Sequence, residues 1–267
     1  MRLFPVSAAS YALDAVQAAC VLLPGAGLPA WLARTRLGGL SRWWALVLPG
    51  SLVLCVGGIA LLPGAASGFT YLALVAVPPL ALAACTWASR GARPVFAALG
   101  LALVLVALAR SRGSLAGDVA ATMLTALSCV TLARLLVGVA PATLVKVALV
   151  AMAVIDAYLV FGGGITTSAN LLNAATPAFE LPRLQTAFLN GASLGYGDLF
   201  VAAAFGALLA AEERRQALAA AACLVAFVAF DVLFNVFDTL PATVPVAVVL
   251  VAWELGQRRA GHAVVPA

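Results

Sequence analysis

Histidine occurs once in this chain, as His262 in the tail, and neither a second imidazole nor a cluster of thiols accompanies it, which leaves no zinc-site pattern. The five cysteines, Cys20, Cys55, Cys85, Cys129 and Cys223, stand far apart inside apolar runs with no Cys-x-x-Cys pair, so they read as small buried apolar residues and a disulfide framework is excluded. Charge is equally scarce, at 9% of residues, and no long polar stretch offers material for a soluble domain. The formal charge of +5 is carried by basic residues standing singly or in pairs between apolar runs, which is the pattern of orientation signals and not of a nucleic-acid surface.

What the chain has instead is apolar residues, 64% of the total, gathered in repeated runs of about twenty, the length that crosses a bilayer as helix. The runs are Val6–Ala33, Trp43–Leu62, Phe69–Trp87, Val95–Ala109, Gly117–Leu136, Leu144–Phe161, Thr186–Ala211, Ala217–Phe237 and a last one from Leu240 to Glu254. Trp43 and Trp44 are placed as interfacial anchors. A cleaved signal peptide is the rival for the first run, but Asp14 interrupts it and no small-x-small cleavage site follows, so it counts as a span. The expectation is an all-α polytopic membrane protein of about nine transmembrane helices, one membrane domain over residues 1–267. The longest polar connection, Ile165–Gln185, follows Gly162-Gly163-Gly164 and separates spans one to six from spans seven to nine.

An odd number of spans puts the two termini on opposite sides. Arg2, Arg110, Arg112 and Arg183 fall on the side of the amino terminus, and the other eleven basic residues fall on the opposite side. The excess places the carboxyl terminus in the cytoplasm, and the amino terminus and Ile165–Gln185 outside.

Two acids lie where acids are expensive. Asp198 is within the seventh run and Asp156 is the sole acid of Val145–Phe161. An acid inside the hydrocarbon layer costs roughly 2.5 kcal/mol or more, so an intramembrane Asp is a functional hypothesis by default. Read as continuous helices entering from the outer side, the two runs carry Asp156 and Asp198 roughly 9 and 18 Å deep, close enough to be brought level. Gly191 and Gly195, spaced as Gly-x-x-x-Gly with Ser193 and Gly197 nearby, would let the two helices approach. Carboxyls a few ångström apart do not both ionise, so one keeps its proton while the other acts as base. That is the unit needed to activate water against a peptide carbonyl.

Asp156 in the sixth span, Gly195-Tyr196-Gly197-Asp198 in the seventh and Pro241-Ala242 opening the ninth resemble the presenilin and signal peptide peptidase family of intramembrane aspartyl proteases. The resemblance covers the nine-span layout and is strongest over residues 150–250. It implies a presenilin-like fold, catalytic roles for Asp156 and Asp198, and a site shaped by Gly195, Tyr196, Gly197, Tyr158, Pro241, Ala242 and Thr243, without metal or cofactor. The implied substrates are transmembrane segments or leftover signal peptides in the bilayer. Ile155 stands where the family has Tyr, with Tyr158 two residues beyond the aspartate, and Thr243 stands where it has Leu. The expected orientation is that of signal peptide peptidase within the family and implies substrates with a cytoplasmic amino terminus. An intact chain is expected, without self-cleavage in Ile165–Gln185. Part of that loop, Ile165–Leu172, is either a strand-like partner for an unwound substrate or a solvated linker.

Other readings stay open. Paired intramembrane acids also serve proton-coupled secondary transporters, although no two halves are visible here. Prepilin and preflagellin peptidases share Gly-x-Gly-Asp, but with differently ordered spans and no Pro-Ala motif. Gly191-Ala192-Ser193-Leu194-Gly195 fits Gly-x-Ser-x-Gly, yet no intramembrane histidine is there to activate the serine. Asp14 and Asp231, with Asn235, read as interhelical hydrogen-bonding or near-interface groups, and Asp118 and Asp238 as solvated span ends. The composition suits a prokaryotic plasma membrane, and the oligomeric state is not set by the sequence.

The orientation is checked with carboxyl-terminal fusions. A reporter fluorescent only in the cytoplasm should light up there and one active only outside should be silent; the reverse pair inverts the topology.

Overall fold

The computed structural model describes residues 7–27, 43–62, 64–110, 114–162, 171–172, 174–237 and 239–262. Arg2, Arg34, Arg36, Arg42, Arg112, Asp238 and most of the stretch 165–172 lie outside them. Nine α-helices and one two-stranded hairpin have both ends among the described residues. The first six helices are α1 (Ala8–Leu22), α2 (Val47–Leu61), α3 (Ala65–Ala83, prolonged by a π turn at Ala84–Ala88), α4 (Ala97–Ala109), α5 (Leu115–Val139) and α6 (Ala142–Phe161). The hairpin β1 (Thr186–Leu189) and β2 (Ala192–Gly195) leads into α7 (Tyr196–Ala211), followed by α8 (Gln216–Asp231, continued by a 3-10 turn at Val232–Asn235) and α9 (Val244–His262).

Four stretches, Ala65–Ala88, Leu115–Val139, Ala142–Phe161 and Gln216–Asn235, are long and apolar enough to cross a membrane, and Ala8–Leu22, Pro49–Ile59, Pro94–Ala109 and Tyr196–Ala211 are shorter apolar helices. The chain is thus mostly helical and its four long apolar helices are compatible with a membrane protein.

One expectation is overturned. The seventh run is not a continuous helix, because its first ten residues fold as the antiparallel hairpin, with Thr186 opposite Gly195 and Leu189 opposite Ala192. The cause is the dipeptide between the strands: Asn190 has φ of 44° and Gly191 of 88°, the left-handed pair that a two-residue hairpin turn requires. Gly191 and Gly195 are therefore not on a helix, and their Gly-x-x-x-Gly spacing does not pack helices. The outer edge of β1 is fastened to α5: the Thr122 hydroxyl donates to the Phe188 carbonyl at 3.1 Å and lies 3.3 Å from the Phe188 N–H, and the Thr125 hydroxyl donates to the Leu184 carbonyl at 3.2 Å. Arg183 lies over the Phe188 ring, 4.6 Å from its centroid.

Helix α7 is the centre of the molecule. Every residue from Leu199 to Ala210 is buried, and α1, α5, α6 and α9 pack around it. A sequence apolar on every side makes such an enclosed helix, and its alanines and Gly206 let the neighbours come close. The tightest approach is to α1, where a Cβ at Gly206 would run into the Val21 carbonyl. Gln216 seals the junction, its Nε2 within 2.9 to 3.3 Å of the Val21, Pro24 and Gly206 carbonyls. At the end of α7 away from the hairpin, Lys146 of α6 and Arg214 each contact both Glu212 and Glu254 of α9 at 2.6 to 2.9 Å, a closed ring of four charges.

Gly206→Ala should destabilise the protein by about 1–3 kcal/mol, the range for overpacking a filled interior, because backbone and not a movable side chain opposes the new methyl. Thermal unfolding in detergent checks this, with Gly256→Ala, where a Cβ meets nothing, as the neutral control.

Candidate active site

Asp198 is the third residue of α7, in its first turn. This corrects the deep placement inferred from a continuous helix, since the hairpin absorbs the residues counted as the first turns. Its Oδ2 accepts the N–H of Gly195, the residue capping the helix, at 3.0 Å. This is the carboxylate half of a capping box, so the acid satisfies a backbone donor that the helix leaves free. Gly195 has ordinary extended dihedrals, φ −66° and ψ 151°, and is needed for space: a Cβ there would sit 2.9 Å from the same Oδ2. At Gly197 a Cβ would lie 3.3 Å from the Met152 methyl, so this glycine lets α6 come close. Tyr196 turns toward α5, its hydroxyl 2.9 Å from that of Ser128.

Asp156 lies five residues before the end of α6 and is buried. Met152, which meets Gly197, is one turn below it on the same face, so α6 presents Asp156 beside the start of α7. The two carboxyls are within electrostatic reach of each other and line one cavity of about 970 Å³.

The Pro-Ala-Thr segment is a turn ahead of α9, not its first residues: Val244 opens the helix and its N–H donates to the Pro241 carbonyl at 3.1 Å. Proline suits this position because its fixed φ sets the turn and it has no N–H to satisfy. Pro241 is buried behind the turn, whereas Ala242 and Thr243 line the cavity. The Thr243 hydroxyl donates to Asp156 Oδ2 at 2.6 Å. The residue that departs from the resembling family's leucine thus supplies a donor to the first acid. Tyr158 is 77% exposed and does not line the cavity. The structure therefore brings together Asp156, Asp198, Gly195, Tyr196, Gly197, Ala242 and Thr243 on one cavity, and leaves Pro241 behind the turn and Tyr158 outside.

Gln17 of α1 has no place in the sequence reading. It is 1% exposed, and its Nε2 donates to the Asp198 carbonyl at 3.3 Å and to the Ala242 carbonyl at 3.1 Å, joining the starts of α7 and α9. Its signal was present as a lone amide in an apolar helix, a position where an uncharged polar side chain has to find a partner. Among the described residues no group of three His, Cys, Asp or Glu side chains is placed to hold a metal.

Compared with protein-family models, curated proteins and solved structures, the chain matches none.

Thr243→Val removes the donor to a buried carboxyl and should cost about 1–3 kcal/mol of stability. Thr243→Ser should recover most of it. Thermal unfolding of the three proteins decides, and equal stability of the Val and Thr forms would refute the assigned bond.

Proposed function

We propose that the chain is an intramembrane aspartyl protease that hydrolyses peptide bonds within membrane-spanning segments. The observation that carries the reading is the convergence of Asp156 and Asp198, from two helices, on one large cavity, with Thr243 bonded to the first and Gly195 to the second. In the reaction the ionised member of the pair takes a proton from water as the water oxygen bonds to the peptide carbonyl carbon. The protonated member gives its proton to the carbonyl oxygen. When the resulting diol collapses, the C–N bond breaks, the carboxyl that took the water's proton gives it to the leaving nitrogen, and the other carboxylate takes a proton from a diol hydroxyl, so that the pair again holds one proton. The proton belongs to the pair and not to either residue.

A helical substrate hides its carbonyls in its own hydrogen bonds and has to unwind first. The register of the hairpin points the Ser193 N–H and C=O away from β1, and β2 borders the cavity, so this edge is a template on which an unwound segment pairs as a strand. This moves the proposed pairing from the 165–172 stretch to the strand directly before Asp198. With a bilayer as surroundings and the charge count as guide, the protein sits in a prokaryotic plasma membrane with its carboxyl terminus in the cytoplasm and takes segments of cytoplasmic amino terminus, including leftover signal peptides. Nine spans in a presenilin-like arrangement belong to the same reading.

A second reading, proton-coupled transport, draws on a further pair of acids, Asp14 and Asp231, on the same cavity.

Asp156→Asn and Asp198→Asn separate the two. Each should lower cleavage of membrane-spanning peptides by roughly a thousandfold or more, because either acid is half of one unit. Asn keeps an acceptor oxygen for Thr243 or Gly195, so the fold should survive. Purified protein, a peptide panel and an aspartyl-protease transition-state analogue suffice. Substantial cleavage by either variant sinks the assignment, and loss of proton-linked uptake with no bond cut favours the transporter.

A further inference from the structure

The connection ahead of the hairpin holds out one aromatic side chain. Pro177 and Pro182 are buried, while Ala178, Phe179 and Glu180 between them are exposed. Phe179 is 94% exposed, more than any other large apolar residue among those described. The segment is nevertheless well fastened. Gln185 Nε2 donates to the Leu172 and Ala175 carbonyls at 3.4 and 3.0 Å, and the Leu181 N–H donates to the Ala178 carbonyl at 3.3 Å. The Ala178 N–H donates to the Tyr71 hydroxyl of α3 at 3.2 Å. The tip's backbone is also strained: Phe179 and Glu180 have φ of 56° and 55°, successive left-handed residues at a place where glycine is at ease and a bulky ring is an outlier.

A single exposed apolar residue on a loop is ordinary and asks for no partner. A ring kept outward on a strained tip that is itself tied down is different, because strain persists only where the surroundings impose it, and it gathers at sites of use. The place to which the tip is fastened identifies the partner. Gly68, Tyr71, Val75 and Pro79 follow helical spacing along one face of α3, and all four are exposed. That face is turned away from the bundle, so the bond to Tyr71 carries the tip onto the outer flank of α3. The stretch Ala65–Ala88 is long and apolar enough to cross a membrane, and in the orientation given by the charge count it starts on the outer side. Tyr71 is six residues in, roughly 9 Å along the axis, and its side chain leans back toward the helix start. Its hydroxyl is then at the level where headgroups meet acyl chains, where tyrosine is enriched. Phe179 and Glu180, one apolar and one charged, suit the same boundary.

We propose that Phe179 inserts into the outer leaflet at the boundary of headgroups and acyl chains and anchors the connection 174–185 to the membrane. Apolar side chains at that depth, phenylalanine and leucine among them, are what hold interfacial segments in a bilayer. The proposal rests on the bilayer setting of the protease reading and on none of its chemistry. Leu172 and Gln185, bonded to each other at the two ends of the fastened stretch, border the cavity, so the anchor fixes part of the cavity's rim against the lipid.

The test keeps Phe179 in place and reads the residue beside it. Cys55, the one cysteine that is not buried, is changed to Ala, and a nitroxide label is put on Glu180→Cys in protein reconstituted in phosphatidylcholine and phosphatidylglycerol nanodiscs. Labels on Val75→Cys, on the outer face of α3, and on Glu213→Cys, in the exposed turn after α7, are the lipid and aqueous references. Collision with oxygen, which concentrates in lipid, is divided by collision with a water-soluble nickel chelate. The ratio at 180 should lie between the two references. Phe179→Ser should bring it down to the Glu213 value, and Phe179→Leu should keep it. A ratio equal to that at Glu213 with Phe179 in place overturns the anchor, as does a ratio that Phe179→Ser leaves unchanged. Nickel access that falls only when a transmembrane peptide is added assigns the ring to the substrate and overturns it too. If the label at Val75 reports water, the bilayer setting fails and the anchor with it. Absence of any peptide cleavage, by contrast, removes the protease reading and leaves the ratio at 180 as it is.

Discussion

The Asp198 carboxyl is half-buried on the wall of the cavity and accepts one backbone N–H, that of Gly195, at 3.0 Å. A carboxyl away from water has to be given donors or partners, and much of the architecture at this end of the bundle supplies them. The hairpin turns the chain so that Gly195 caps α7, and α5 holds the hairpin through Thr122 and Thr125. The turn at 241–243 does the same for Asp156 by delivering Thr243. Gln17 then ties the two starts together, so the position of each acid depends on the other's support. Asp14 and Asp231 line the same cavity.

At the opposite end the demand is reversed, and charges are matched in full. Lys146, Glu212, Arg214 and Glu254 close a ring of two positive and two negative groups, about a fifth to a quarter exposed, with side-chain values of 18 to 28%. Isolated surface pairs contribute little, but a half-buried ring is screened less than a single exposed pair. It joins α6, α7 and α9, the helices that lead to Asp156, Asp198 and Thr243, at about 15–21 Å along their axes from those residues. The three are therefore fixed relative to each other at both ends, by charge at one and by hydrogen bonds at the other.

The helices were legible in the sequence because apolar run length is a coarse signal that survives errors at the ends: the nine runs correspond in order to the nine α-helices among the described residues. The hairpin was missed for the same reason, since a count of apolar residues does not distinguish a strand period from a helical one. Asn190-Gly191 between two four-residue segments was the available sign, and its backbone angles are what such a turn demands. Of the candidate site, the acids and glycines were visible by type. Glycine's role was misread, because Gly195 makes room for a carboxyl and not for another helix. Gln17 and Thr243 act through atoms that approach across more than eighty residues of chain, so even where a lone amide in an apolar helix signals a need, nothing local names the partner. Tyr158 is near Asp156 in sequence only, since a two-residue shift on a helix rotates a side chain to the far face.

Helix α7 has only 16 residues, short of what a bilayer requires, yet no residue from Leu199 to Ala210 reaches the outer surface. A helix that meets no lipid is not subject to hydrophobic mismatch, and its length answers only to the protein around it. In the proposed bilayer setting the lipid meets instead the outward leucines and valines of α2, α3 and α4. In that setting the acid carried by α7 is separated from lipid by the helices packed around it.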